Sequence, residues 1–195
     1  MWTTNVYLHR LNLMNLANAL TLLRIFLVPA LIISIVYYQP NKEIYRYIAL
    51  GIFTLGSLTD AVDGYIARTF NQQTKLGTLL DPLADKLIVV SAFLCIFLQP
   101  HFDLRPPVWF IILIVFRDSL IVMGLIIVFF TTGKIHVSPN FLGKCTTFFQ
   151  MATVILLLLQ NSISPIFWNL TALLTVASGM TYVVREGRRL REHTN

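Results

Sequence analysis

The sequence predicts an all-α integral membrane protein of six transmembrane helices, with a polar metal site at the cytoplasmic side of the bundle. Three observations carry this. The 195 residues are 56% hydrophobic and 12% charged, against about a quarter charged in a soluble domain. Mean hydropathy is +0.70. The apolar residues are gathered into six runs, most of them close to the ~20 residues a spanning helix needs. A disordered chain is excluded, and 15 basic with 9 acidic residues are too few to cover an ordinary soluble surface.

The runs lie at 19–38, 45–62, 83–99, 107–131, 142–160 and 165–184. The first is as long as a span and is not a cleavable signal. It stops at Gln39 to Glu43, where Pro40 cannot continue a helix. A polar break over 63–81 follows the second run. Pro82 suits the first turn of the third, with Asp81 as its cap. Gln99 to Pro107, Thr131 to Asn140 and Gln160 to Pro165 separate the others. No internal repeat or linker interrupts them, so residues 1–195 read as one membrane domain. Its core is about 15–185, with a short basic cytoplasmic tail after 185.

Six spans place both termini on one side. Arg10, Arg68, Lys75, Lys134, Arg185, Arg188, Arg189 and Arg191 fall there, and Lys42, Arg46 and Arg105 fall opposite. The positive-inside rule makes the first side cytoplasmic. The net charge of +6 is then topology and anionic-lipid contact. No basic stripe with interleaved aromatics suggests nucleic acid. Cys95 and Cys145 lie in apolar runs and read as small buried hydrophobes, and His9, His101, His136 and His193 have no ligand spacing.

Several charges stand where a membrane chain should have none. Arg24, Lys86, Arg117, Lys144, Asp60, Asp63, Asp81, Asp85 and Asp118 sit in or at the ends of apolar runs. Each ionised group near mid-membrane costs roughly 2.5–3.5 kcal/mol, so they must face each other, water or a metal. Asp60, Asp63, Gly64, Ala67 and Arg68 share one face if the second run continues as a helix, and Gly77, Asp81 and Asp85 share another. Four facing carboxylates repel unless protonated or bridged by cations. Oxygen-only ligands favour Mg²⁺, Mn²⁺ or Ca²⁺, and paired metals suit phosphoryl chemistry. Gly64 and Ala67 leave room for a ligand. The plainer readings are that Asp81 is only a cap, Arg68 and Lys75 interfacial anchors, and Arg117–Asp118 a structural ion pair. Four structural aspartates together would be a poor account of the cluster.

The pattern Asp60-x2-Asp63-Gly64-x2-Ala67-Arg68-x8-Gly77-x3-Asp81-x3-Asp85 resembles the complete signature of the CDP-alcohol phosphotransferases. The flanks resemble the branch of that family that makes phosphatidylglycerol phosphate: Asn18 to Arg24 leading to Pro29, Asp81 to Lys86, and Gly143-Lys144 with Thr147 and Gln150. The resemblance implies a dimer of six-helix chains with two Mg²⁺ or Mn²⁺ ions held by Asp60, Asp63, Asp81 and Asp85. Asp85 would also be the general base. Gly64, Ala67, Arg68, Thr74 and Gly77 would contact the CDP part of a CDP-diacylglycerol donor. Arg24, Arg117 and Lys144 would hold the acceptor's phosphate. On the residues alone, buried cations beside carboxylates likewise need an anion.

The implied acceptor is glycerol 3-phosphate. Asp118 in place of the branch's more frequent Glu, and Pro139 four residues before Gly143, lean towards the cardiolipin-forming branch, whose acceptor is phosphatidylglycerol. A short chain without a transit peptide points to a bacterial inner membrane. A reading of another class, a cation channel or transporter with the aspartates as an ion path, lacks the paired broken helices of transporters, because the acidic cluster occurs once.

Overall fold

A computed structural model describes the backbone over residues 23–70, 77–132 and 141–194, and side chains over 23–59, 86–124, 126 and 141–182. Six helices and no strand occur among the described residues: α1 (Leu23–Val36), α2 (Ile44–Phe70), α3 (Gly77–Leu98), α4 (Val108–Thr132), α5 (Phe141–Leu158) and α6 (Ser164–Thr194). They form two compact units, Met1–Cys95 and Ile96–Asn195, divided within α3.

Beside an apolar core of residues such as Leu31, Phe53 and Phe110, many large apolar side chains stay on the surface and several polar ones are buried. Phe26, Phe148, Leu173, Met180 and Phe141 are exposed, whereas Arg24, Arg117, Asp118, Gln150, Thr153 and Thr171 are buried. Exposed apolar side chains together with buried polar ones suit a lipid environment, where helices associate through small and polar residues. Among the described residues α5 is the helix long and apolar enough to cross a membrane; Leu23–Val36, Ile44–Thr59 and Lys86–Leu98 are shorter apolar stretches.

The helices depart from the expected runs in three places. The expected break over 63–81 is helical up to Phe70 and again from Gly77. Asp81 therefore lies in the second turn of α3 and is not its cap. Pro82 is inside the helix, where it has no N–H for the carbonyl four residues back. The sixth helix does not stop at 184 but continues to Thr194. Apolarity ends there, yet Arg, Glu and Leu remain good helix formers.

In the first unit, Gly56 sets the approach of α2 to α3. A Cβ on it would lie 2.5 Å from Ile88 Cδ1 and 3.8 Å from Leu27 Cδ1. In the first turn of α2, Arg46 lies 5.2 Å from the Tyr47 ring centre and 5.9 Å from that of Tyr38, beside Glu43 at 3.5 Å. Such an aromatic group with one cation is typical of a membrane–water boundary.

In the second unit, α5 and α6 pack as an antiparallel hairpin. Gly143, Thr146, Gln150 and Thr153 on α5, and Thr171, Thr175, Ser178 and Tyr182 on α6, recur at alternating steps of three and four, the period of a helix–helix seam. Thr153 and Thr171 share a 2.9 Å hydrogen bond, and Thr146 donates to the carbonyls of Leu142 and Leu174. The turn between the helices is made by Gln160, whose φ is +54°. Asn161 N–H donates to Leu156 O and Gln160 N–H to Leu157 O, both at 3.0 Å, the paired bonds of a Schellman cap. Glycine usually fills that position, but here the side chain is used. Gln160 Oε1 accepts from Asp103 N–H at 3.0 Å and Leu104 N–H at 3.1 Å, and Nε2 donates to Leu157 O at 3.0 Å. The loop before α4 is thereby tied to the end of α5. α4 runs parallel to α6: Arg117 meets Ser178, and one helical stretch further Gly124 backs onto the Tyr182 ring.

Candidate active site

The signature residues lie on two consecutive helices of the first unit. Asp60, Asp63, Gly64, Ala67 and Arg68 are on α2, and Gly77, Asp81 and Asp85 on α3. The helices run antiparallel around 71–76, and the Gly56–Ile88 contact fixes their register. All eight fixed positions are therefore within a few turns of the α2–α3 connection.

By residue type, four carboxylates with no thiol or imidazole suit Mg²⁺ or Mn²⁺ better than zinc. The side chains of Asp60, Asp63, Gly64, Ala67, Arg68, Gly77, Asp81 and Asp85 lie outside the described residues, as does Thr74 altogether. Among the described residues no three His, Cys, Asp or Glu side chains gather as metal ligands.

The expected cations have different surroundings. Arg24, in the first unit, is fully buried and engaged by a partner. Lys144, in the second, is exposed. The expectation of a buried Lys144 is thus corrected: it stands in the first turn of α5, at the end of an apolar run rather than within it. Arg117 is buried on α4. Its Nη1 donates to Asp118 Oδ1 at 2.8 Å and its Nη2 to Ser178 Oγ at 2.6 Å, while its Nε is buried with no hydrogen-bond partner. The Arg117–Asp118 ion pair read from the sequence is present, with both side chains at most 6% exposed. Ser178 was not legible as a partner. It belongs to the small-residue row of α6, which by itself reads as packing.

Six helices among the described residues, exposed apolar side chains and a carboxylate signature split across α2 and α3 fit a helical, membrane-associated class of protein. The chain belongs to the CDP-alcohol phosphatidyltransferase family, whose model matches residues 14–183 and so spans both units. It is 41% identical to a CDP-diacylglycerol–glycerol-3-phosphate 3-phosphatidyltransferase of Bacillus subtilis, over 75% of this chain and 78% of that one. It is 31% identical to the protein of the same name from Rickettsia felis, over 86% of this chain and 93% of that one. It is 34% identical to a probable phosphatidylglycerophosphate synthase of Mycobacterium tuberculosis, over 90% and 83% respectively. Family membership displaces the channel reading.

Proposed function

We propose that the protein transfers the phosphatidyl group of CDP-diacylglycerol to glycerol 3-phosphate, releasing CMP. The observation that carries this is the complete eight-position signature on α2 and α3, in a chain whose relatives from Bacillus subtilis and Rickettsia felis are named for that donor and acceptor. Asp118 and Pro139 do not outweigh those relatives, so phosphatidylglycerol is the second acceptor to test.

In this reading Asp60, Asp63, Asp81 and Asp85 hold two divalent ions. When bound, these would polarise the β-phosphate and neutralise charge on the departing CMP. Gly64 and Ala67 leave space for the cytidine diphosphate. Arg68, Thr74 and Gly77 contact it. Arg117, with Arg24 and Lys144, binds the acceptor's phosphate; a buried guanidinium with an unused N–H suits a phosphate oxygen. Asp85 takes the proton of the acceptor hydroxyl. The hydroxyl oxygen forms a bond to the β-phosphorus as the bond from that phosphorus to the CMP oxygen breaks, and the electron pair leaves with CMP. General-base help of this kind gives roughly 10²–10⁴-fold. The reading includes six membrane spans, a homodimer, and both termini on the cytoplasmic face of a bacterial inner membrane. The excess of Arg and Lys on the terminal side supports that orientation.

Asp85→Asn tests the base assignment. The variant should fold as the parent does and release CMP at least about 10²-fold more slowly. Near-normal turnover would refute the role given to Asp85.

A further inference from the structure

Arg117 is held more tightly than an ion pair alone requires. Asp118 follows it in the chain and anchors Nη1 at 2.8 Å. That single contact leaves the planar guanidinium free to turn about the Nη1 anchor. Ser178, arriving from α6 at 2.6 Å on Nη2, adds the second point that fixes the plane. Of its three nitrogens, Nε is the one that is buried without a hydrogen-bond partner. An unmade bond at a buried donor costs about 1–3 kcal/mol, and native proteins seldom keep one without a use.

Space lies beside the same group. A Cβ on Gly143 would sit 3.5 Å from Arg117 Nη2 and 3.8 Å from Ser178 Oγ. Those are ordinary contact distances, so a methyl-sized volume next to the guanidinium is unfilled by protein. The seam hydroxyls further along α5 and α6 bond carbonyls or each other: Thr153 with Thr171 at 2.9 Å, and Thr175 to Thr171 O at 2.7 Å. Ser178 instead accepts from a buried charge.

We propose that Ser178 is a positioning residue that aims Arg117 at the acceptor's phosphate. Gly143 keeps the adjoining space open, and the two together set affinity for a phosphate-bearing acceptor. This rests on the reading of Arg117 as the acceptor-phosphate ligand. Hydrogen bonds to charged groups are the stronger ones, so losing the aim should appear in acceptor binding and leave the donor side unchanged.

The test uses the full chain in detergent, with each substrate titrated at a saturating level of the other. Ser178→Ala should raise the KM for glycerol 3-phosphate about tenfold, with kcat and the KM for CDP-diacylglycerol little changed. Ser178→Thr, which keeps the hydroxyl, should restore most of the affinity. Gly143→Ala should raise the same KM by filling the space. Should Arg117→Lys raise the acceptor KM while Ser178→Ala does not, the positioning role is overturned and the role of Arg117 stands. If neither variant moves it, the role of Arg117 fails and the proposal with it. A Ser178→Ala loss spread over kcat and both KM values, without rescue by Thr, would make Ser178 a packing residue and overturn the proposal.

Discussion

Arg117 on α4 donates a 2.6 Å hydrogen bond to Ser178 on α6, 61 residues further along the chain, while its other terminal nitrogen is paired with Asp118. One contact is set by sequence adjacency and the other by helix packing. A buried pair loses about 3–5 kcal/mol when one partner is removed, because the other charge is stranded. Asp118→Leu should therefore lower stability in detergent by about that amount. Arg117→Leu combined with Asp118→Leu should recover most of the loss, while acceptor binding stays impaired. Thermal unfolding of both variants checks this; an Asp118→Leu protein as stable as the parent would contradict the buried pair.

Gly56 is where α2 comes close to α3, the two helices that carry the signature aspartates. A Cβ there already comes within 2.5 Å of Ile88 Cδ1, a flexible end that can shift for a methyl but not for a larger group. Gly56→Ala should be tolerated. Gly56→Leu should push α2 from α3 and raise the Mg²⁺ concentration for half-maximal activity, by about tenfold if it acts as loss of a supporting contact around a metal does. An unchanged Mg²⁺ titration with Leu in place would show that the approach of α2 to α3 at Gly56 does not influence the carboxylates.

Gln160 trades backbone strain for side-chain hydrogen bonds. Its φ of +54° costs a non-glycine residue about 1–2 kcal/mol, offset by bonds to Asp103, Leu104 and Leu157. Gln160→Gly loses the bonds and the strain. Gln160→Ala loses the bonds and keeps the strain. The expected order of thermal stability is parent, then Gly, then Ala, with Gly and Ala about 1 kcal/mol apart or more. Ala matching Gly would mean that the turn relaxes without glycine.

The helices and the eight signature positions were legible in the sequence because both depend on short-range spacing. Asp60 to Arg68 and Gly77 to Asp85 repeat at helical intervals, and apolar runs mark their own length. Helix ends were less legible. Residues 185–194 are rich in charge and still helical, since charge ends a membrane run without ending a helix. Gly77 begins α3 ahead of the apolar run, which moved Asp81 from cap to interior. Long-range pairing was the least legible. No local signal links Ser178 to Arg117, and Lys144 looked buried only because its neighbours are apolar.

The central claim is transfer from CDP-diacylglycerol to glycerol 3-phosphate. Its most direct test is CMP release by the purified protein in detergent with Mg²⁺, comparing glycerol 3-phosphate, phosphatidylglycerol and no acceptor. The account predicts CMP release and formation of phosphatidylglycerol phosphate with glycerol 3-phosphate alone. Release with phosphatidylglycerol only, or with no acceptor at all, would contradict it.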